Sequence, residues 1–125
     1  MKCRYVIQNK CDLVNYSFGE PINFTHLGPA LSMLEQMIEK YGVIFCGSAG
    51  NNGPGIETVD CPGSFITASI GVAAYVSTEM IKAEHSLLGN GNSMLFTWSS
   101  RGPHLDGHYG KSFTFFLVLF NLNFS

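Results

Sequence analysis

The segment from Ser48 to Pro54 reads Ser-Ala-Gly-Asn-Asn-Gly-Pro and follows an apolar run, Val43 to Phe45. Small residues at the end of a strand let a substrate backbone approach closely. The Asn51 side chain offers an uncharged amide donor for the negative charge that develops on a carbonyl oxygen during acyl transfer. The segment therefore predicts an oxyanion-stabilising site. Glycine-rich turns with Asn also occur without a catalytic role, so on its own the segment leaves both interpretations open.

A phosphate-binding loop is the main alternative for a glycine-rich segment, and the spacing argues against it. Gly50 to Gly55 is not followed by Lys and then Ser or Thr. The one Gly-Lys-Ser, Gly110 to Ser112, has Leu105 where the first glycine of such a loop belongs. Nucleotide binding is therefore not predicted.

Composition narrows the class of protein further. The chain has 125 residues, so it forms at most one domain. Its net charge of −2 and pI near 6.0 predict no excess of positive charge that would attract nucleic acid or anionic lipid. Residues 1–10 do not form a convincing targeting signal, and a cytoplasmic location is expected. The four cysteines lack zinc-type or redox-type spacing, so reduced thiols, no metal and no cofactor are expected.

Hydrophobic periodicity predicts a strand, a helix and a second strand in the first half of the chain. Asp12 to Phe18 reads as the first strand, a helix with an apolar stripe begins at Pro29 and ends near Gly42, and Val43 to Cys46 reads as a buried strand. Such a unit favours parallel strands joined by a right-handed crossover. Its two strand ends, Ser17 to Glu20 and Ser48 to Asn51, should then meet at the rim where α/β sheets bind ligands.

The second half of the chain contains fewer clear elements. Phe65 to Val76 reads as another core strand, Ser77 to Glu84 as a polar segment, and Leu95 to Trp98 as a short extended piece. Phe113 to Phe124 is apolar but too short for the roughly 20 residues that cross a bilayer as a helix, so no membrane role is expected. This run is either a buried strand or sequence foreign to the domain.

Several separate motifs occur in the order found in one enzyme family. They are Lys10 to Glu20, Ser48 to Pro54, Cys61 to Gly63, Ile70 to Val72 with Ala74 to Val76, and Phe96 to Pro103 with Asp106-Gly107. Through them the chain resembles the subtilisin-like serine peptidases, and within that family the exopeptidases that remove tripeptides. The resemblance implies an α/β fold: a partial three-layer domain with a mostly parallel sheet flanked by helices. It assigns residues 1–110 to this domain and 111–125 to a divergent apolar tail, arising by truncation or read-through.

The resemblance also implies roles for individual residues. Asn51 matches the oxyanion-hole side chain, and Glu20 matches a carboxylate that would pair with the free amino terminus of a peptide and so set a cut after three residues. Without the resemblance, Glu20 would be read as a solvated turn residue. The family pattern further suggests a cis bond between Cys61 and Pro62. Two backbone edges would hold an extended peptide between them, namely Ser17, Phe18 and Gly19, and Ser48, Ala49 and Gly50.

No residue of the chain matches the aspartate, histidine or serine of the family's catalytic triad. The four histidines, His26, His85, His104 and His108, lie outside the expected histidine motif and are interpreted as surface or loop side chains. We therefore expect part of a serine exopeptidase that is inactive alone; the alternative is a catalytically inactive binding or assembly piece of the same family. The implied partners are peptides with a free amino terminus and, since the family forms large homo-oligomers, further subunits.

Overall fold

The structure is a computed structural model that describes residues 3–21, 28–66, 68–85, 92–104 and 107. Its helices are α1 (Cys3–Gln8), α2 (Pro29–Glu39) and α3 (Thr78–His85). Its strands are β1 (Leu13–Tyr16), β2 (Ile44–Ser48), β3 (Ile70–Val72), β4 (Tyr75–Val76) and β5 (Met94–Leu95). The predicted α/β class is confirmed.

The main sheet has the strand order β1-β2-β3, and both pairs of neighbours are parallel. Leu13 lies opposite Ile44 at one end of the first pair, and Ser48 lies opposite Val72 at the end of the second. The predicted unit of strand, helix and strand is therefore present as β1, α2 and β2. Both strand ends point to the same rim, as parallel pairing requires.

Helix α2 follows the amphipathic pattern in its sequence. Pro29 occupies the first turn, where its missing N–H costs nothing. Leu34 and Met37 are fully buried, whereas Glu35 on the opposite side is exposed. The helix ends at Glu39, and the turn after it closes at Gly42, whose φ of 69° is easily reached only without a side chain and whose N–H donates to the Ile38 carbonyl at 3.0 Å.

The hydrophobic core lies on one face of the main sheet. Helix α1 was not predicted, yet it brings Cys3 into this core, with Val6 and Ile7 packed alongside. The core cluster consists of Cys3, Leu34, Met37, Val43, Phe45 and Ile66. On the opposite face of the sheet, Leu13 is 54% exposed and Ile44 is 48% exposed. Strand β2 is therefore buried on one side only, and the prediction of a fully buried strand was wrong for Ile44.

The prediction of one core strand over Phe65 to Val76 was also wrong. The Ser69 hydroxyl lies 2.7 Å from both the Gly63 and the Ile66 carbonyl oxygens, which stabilises a turn where the strand was expected to begin. The remainder is split between two sheets: β3 joins the main sheet, while β4 pairs antiparallel with β5. The chain changes sheet because the N–H of Ala74 donates to the Ser99 hydroxyl at 3.1 Å instead of continuing the ladder.

Three further predictions compare with the structure as follows. The polar segment Ser77 to Glu84 is largely covered by α3, which runs from Thr78 to His85 and was not predicted. Of the extended piece Leu95 to Trp98, only Leu95 belongs to a strand, and residues 97–98 form a turn. No helix among the described residues is long and apolar enough to cross a bilayer, and the run Phe113 to Phe124 lies outside them.

Candidate functional site

The two predicted strand ends meet at one rim because a third segment connects them. The backbone of Glu20 exchanges two hydrogen bonds of 3.0 Å with Cys61. The N–H of Asp60, one residue earlier, donates to the Ala49 carbonyl at 2.8 Å. The pair Asp60-Cys61 thus lies between the chain leaving β1 and the chain leaving β2. The Cys61-Pro62 bond is cis, as the family resemblance suggested.

Asp60 occupies the space between the two glycines of the site. A Cβ atom on Gly19 would lie 2.6 Å from the Asp60 Cβ, and one on Gly50 would lie 2.5 Å from Asp60 Oδ2. Both distances are far below van der Waals contact, so only glycine fits at either position. Asp60 is itself buried, with 7% of its surface exposed. Because Gly19 and Gly50 have no side chains, the carboxylate of Asp60 fits between them at the centre of the site.

The environment of Asp60 acts on its charge in two opposing ways. Burial raises the pKa of the carboxyl above its ordinary value of 3.8, because ionisation in a poorly solvated site is unfavourable. A hydrogen bond from the Asn52 side-chain amide to Asp60 Oδ1, 2.6 Å long, lowers the pKa and offsets part of that effect. Burial is the larger influence. Asn52 therefore serves as the carboxylate's hydrogen-bond donor.

Asn51, the predicted oxyanion donor, is exposed at the rim, and its side chain makes no hydrogen bond to any described residue. The residues on both sides of it are held in place. The Gly50 carbonyl accepts from the Ser100 N–H at 3.0 Å, and the Asn52 N–H donates to the Ser100 hydroxyl at 3.0 Å. A free amide between two anchored residues has the arrangement an oxyanion donor needs. Its catalytic role remains a prediction.

The first predicted substrate edge is open. Ser17 and Phe18 are exposed, and the backbone groups of Ser17, Phe18 and Gly19 form no main-chain hydrogen bond within the described part of the chain. Glu20 is exposed beside them, and no described cation forms an ion pair with its carboxylate. An extended peptide could therefore add to this edge by main-chain hydrogen bonds.

The second predicted edge is partly occupied by the protein. Ala49 donates its N–H to the Val72 carbonyl at 2.8 Å, and its own carbonyl accepts from Asp60. The Gly50 carbonyl is engaged by Ser100. Among the described residues, the N–H groups of Gly50 and Asn51 make no hydrogen bond. Along Ser48, Ala49 and Gly50, contacts with a substrate would therefore come mainly from N–H donors near Asn51.

Cys61 is close to the centre of the site, but its environment disfavours the thiolate that a nucleophile needs. Burial, and then the negative charges of Glu20 and Asp60, raise the pKa of its thiol to about 11. The reactive thiolate is therefore scarce near neutral pH. Cys61 and the other cysteines, Cys3, Cys11 and Cys46, are free.

His104 corrects a prediction. It was interpreted as a surface or loop side chain, and it does lie outside the helices and strands, but only 3% of it is exposed. Its Nε2 lies 3.0 Å from the Ser64 carbonyl oxygen, and its ring packs edge-on against Phe65 with 4.5 Å between centroids. His104 is therefore a structural anchor for the end of the described chain. His26 and His108, and the side chain of His85, lie outside the described residues.

Sequence reasoning missed Asn52, Asp60, Ser99 and Ser100. The two serines are buried, and their hydroxyls accept the backbone N–H groups of Ala74 and Asn52. The neighbouring sequence could have drawn attention to them, because two consecutive serines follow Phe96 and Trp98 and directly precede Arg-Gly-Pro. They were included in the family motif Phe96 to Pro103 and taken as the end of an extended piece, but no individual role was predicted for either. Asp60 had no local signal, because its partners lie about 10 and about 40 residues away along the chain.

A shallow cavity of about 210 Å³ lies at the other end of the main sheet. Its lining residues are Ile7, Lys10, Cys11, Asp12, Tyr41 and Val43, which surround the amino ends of β1 and β2. Ligands of open α/β sheets bind beyond the carboxyl ends of the strands. The cavity is therefore separate from the candidate site.

Comparison with known proteins gives a consistent result. Residues 1–114 match the family model described as the subtilase family, Peptidase S8. The chain is 42% identical over 107 residues to tripeptidyl-peptidase 2 of Oryza sativa subsp. japonica, and 42% identical over 105 residues to tripeptidyl-peptidase 2 of Arabidopsis thaliana. These matches cover 85% and 83% of the chain but 8% of each relative.

A solved structure agrees with these sequence matches. The crystal structure of tripeptidyl peptidase 2 superposes with a TM-score of 0.65 and 34% identity, covering 87% of this chain and 8% of that one. The chain thus spans a small part of the length of the proteins that it resembles.

Proposed function

The chain belongs to the subtilase family of serine peptidases, and on that premise we propose that it is the substrate-binding and oxyanion part of an exopeptidase that removes tripeptides from free amino termini. The parent enzyme would supply the catalytic triad. By the same premise, the protein would be cytoplasmic and would assemble into large homo-oligomers.

The observation that carries this proposal is the meeting of both predicted substrate edges around Asp60-Cys61. Ser17 to Glu20 is linked to Cys61, and Ala49 is linked to Asp60, so the two edges have a fixed separation. A peptide in extended conformation could bind along the first edge with its scissile carbonyl near Asn51. Main-chain hydrogen bonds depend little on the side chains of the bound peptide, which would suit an enzyme of broad specificity.

Glu20 would set the number of residues between the amino terminus of the substrate and the bond that is cut. Its carboxylate is exposed and has no cationic partner among the described residues, while the hydrogen bonds to Cys61 hold its backbone. A protonated peptide amine is a suitable partner for such a carboxylate, and a charge-assisted hydrogen bond contributes about 1.5–3 kcal/mol. The backbone of Glu20 is fixed relative to Asn51. The distance between the carboxylate that binds the peptide amine and the amide that binds the scissile carbonyl would therefore be constant, so every peptide would be cut the same number of residues from its amino terminus.

Asn51 would stabilise the tetrahedral intermediate. Its amide is unpartnered among the described residues, whereas the amide of Asn52 is occupied by Asp60. Removal of one such donor lowers turnover by about 100-fold to 1000-fold, a range for which subtilisin itself is the reference case. Since no residue here matches the triad, we expect these 125 residues to show negligible turnover alone. Robust hydrolysis of a fluorogenic tripeptide substrate by the pure chain would contradict that expectation.

The role of Glu20 can be tested by peptide binding. A dye-labelled tetrapeptide with a free amino terminus and its N-acetylated form would be titrated against the wild-type chain, Glu20→Gln and Glu35→Gln. Glu35→Gln is the matched control, because Glu35 is an exposed carboxylate on α2, away from the rim. We expect the wild type and the control to prefer the free amine by about tenfold, which corresponds to about 1.4 kcal/mol. Glu20→Gln should remove this preference; its retention, or equal binding of both peptides by the wild type, would refute the assignment.

A further inference from the structure

The side chain of Asn51 is attached between two peptide groups, and the directions of these groups decide where its amide points. The first group contains the Gly50 carbonyl, and the second contains the Asn52 N–H. Because each peptide group is planar, fixing both of them fixes the two backbone angles of Asn51 and the direction of its Cα–Cβ bond. A residue that holds both groups would therefore aim the Asn51 amide.

Ser100 forms hydrogen bonds to both peptide groups. Its N–H donates to the Gly50 carbonyl at 3.0 Å, and its hydroxyl accepts the Asn52 N–H at 3.0 Å. The first bond is available to any residue except proline, whereas the second needs a hydroxyl at position 100. The Ser100 hydroxyl is also packed tightly against the turn, since a Cβ atom on Gly50 would lie 2.6 Å from it. Ser100 is 4% exposed, so loss of the hydroxyl would leave the Asn52 N–H without an acceptor in a partly buried site.

Other contacts hold the chain after Asn51 without fixing the second peptide group. The Gly53 N–H donates to the Trp98 carbonyl at 2.9 Å, and the Asn52 side chain donates to Asp60 at 2.6 Å. These contacts locate the α-carbons, but a peptide group can still turn about the line between its two α-carbons. Among the described residues, the serine hydroxyl makes the one hydrogen bond to the second group. It therefore prevents a rotation that the other contacts allow.

An oxyanion donor is effective only when it is held close to the geometry that the reaction needs. A misplacement of about 1 Å can lower a rate by roughly 100-fold. Asn51 is exposed and its side chain has no described hydrogen-bond partner, so its orientation depends on its backbone. We propose that Ser100 is a positioning residue, whose hydroxyl orients the peptide group between Asn51 and Asn52 and so aims the Asn51 amide at the oxyanion. This inference rests on the oxyanion role of Asn51 in the proposed function.

Ser99 provides a matched control for the role of Ser100. It is 0% exposed, and its hydroxyl likewise accepts one backbone N–H, that of Ala74 at 3.1 Å. Ser99→Ala and Ser100→Ala therefore each remove one buried acceptor, and both should destabilise the chain. Only Ser100→Ala should change the orientation of Asn51. The comparison thus separates positioning from a general loss of stability.

Nuclear magnetic resonance relaxation measures this orientation without a ligand. In the isotope-labelled full chain, the order parameter of the Asn52 N–H should be about 0.85 in the wild type and Ser99→Ala, and below about 0.6 in Ser100→Ala. The order parameter of the Asn51 side-chain amide should fall only in Ser100→Ala. Equal values for this amide in the two variants would overturn the proposal. A wild-type Asn52 value below about 0.6 would do so even if Ser100→Ala fails to fold.

A peptide that carries a tetrahedral anion tests the connection to the oxyanion. In a phosphinic peptide with a free amino terminus, a phosphorus atom with a negatively charged oxygen replaces the carbonyl of the third residue. The wild type and Ser99→Ala should bind this peptide at least about tenfold more tightly than the amide tetrapeptide of the same sequence. Asn51→Ala should abolish the preference, and Ser100→Ala should lower it by at least about threefold. The affinity of Ser100→Ala for the amide peptide should equal that of Ser99→Ala.

The outcomes of the binding measurements distinguish this inference from the proposed function. A preference that Asn51→Ala removes but Ser100→Ala leaves intact would overturn the positioning role of Ser100 and not the oxyanion role of Asn51. Equal losses of affinity for both peptides in Ser100→Ala would show that Ser100 has only a structural role. Equal binding of both peptides by the wild type, or a preference that survives Asn51→Ala, would overturn the oxyanion role and the positioning role together.

Discussion

Asn51 and Asn52 are adjacent in the sequence, but their side chains have different surroundings. Asn51 is exposed without a described hydrogen-bond partner, whereas Asn52 donates to Asp60 at 2.6 Å and to the Thr58 carbonyl at 3.3 Å. The sequence motif identified the segment and, through the family resemblance, favoured Asn51. It contained no information about Asn52, because the partner of that residue is fixed by the tertiary fold.

This difference predicts unequal effects of two alanine substitutions. Asn52→Ala should lower the free energy of unfolding by about 1–2 kcal/mol, because Asp60 loses its donor in a buried site. Asn51→Ala should change the free energy of unfolding by less than about 0.5 kcal/mol. Urea denaturation of both variants measures the effects. A similar loss in both would show that Asn51 has a structural role.

Asp60 should make stability depend on pH in a definite direction. Its folded pKa lies above the ordinary value of 3.8, so the folded chain holds this proton more tightly than the unfolded chain. The resulting stabilisation is complete below about pH 3.8 and is lost as the pH rises through the folded pKa. Relative to Asp60→Asn, the wild type should therefore lose stability over that window and then reach a plateau. Urea midpoints from about pH 3.5 to about pH 7 measure this difference, and a flat or rising difference would contradict the sign.

At the scale of elements, local patterns predicted the unit β1-α2-β2 well. Alternating apolar residues, the helical stripe and Gly42 each lie within one element, so the sequence alone carries the information. The prediction was wrong over Phe65 to Val76, where a continuous apolar composition conceals a turn and a change of sheet. That break depends on Ser69 and on the contact of Ala74 with Ser99, which lies 25 residues further along the chain.

The turn before β3 should be sensitive to the loss of one hydroxyl. Ser69 is 1% exposed, and the single O–H of its side chain lies within hydrogen-bond distance, 2.7 Å, of both the Gly63 and the Ile66 carbonyl oxygens. Ser69→Ala should lower the free energy of unfolding by about 1–3 kcal/mol, because the Gly63 carbonyl loses its donor, while the Ile66 carbonyl keeps the backbone N–H of residue 69. Ser32→Ala, at an exposed position in α2, is the matched control and should be within about 0.5 kcal/mol of the wild type. Equal denaturation midpoints for the two variants would show that the turn does not need Ser69.

At the scale of the whole molecule, the main sheet is covered by described helices on one side only. Sequence reasoning could not find this, because Val43 to Cys46 is apolar throughout and reads as buried on both faces. Which face is open depends on where α1 and α2 pack. The match to about 8% of the length of its relatives is consistent with a domain whose second layer comes from elsewhere in a longer protein.

That arrangement predicts a difference between two isoleucines that both look accessible. Ile44 is 48% exposed on the face of the main sheet opposite the core, whereas Ile56 is 70% exposed in the loop beyond Asn52. Ile44 lies in register beside Leu13 and is half-buried in the sheet, so Ile44→Thr loses part of its apolar contacts and should lower the free energy of unfolding by about 0.5–1.5 kcal/mol. Threonine keeps the β-branch, so strand propensity changes little. Ile56→Thr should cost less than about 0.5 kcal/mol. Urea denaturation measures both values, and equal losses at Ile44 and Ile56 would show that the sheet position contributes no more than the loop position.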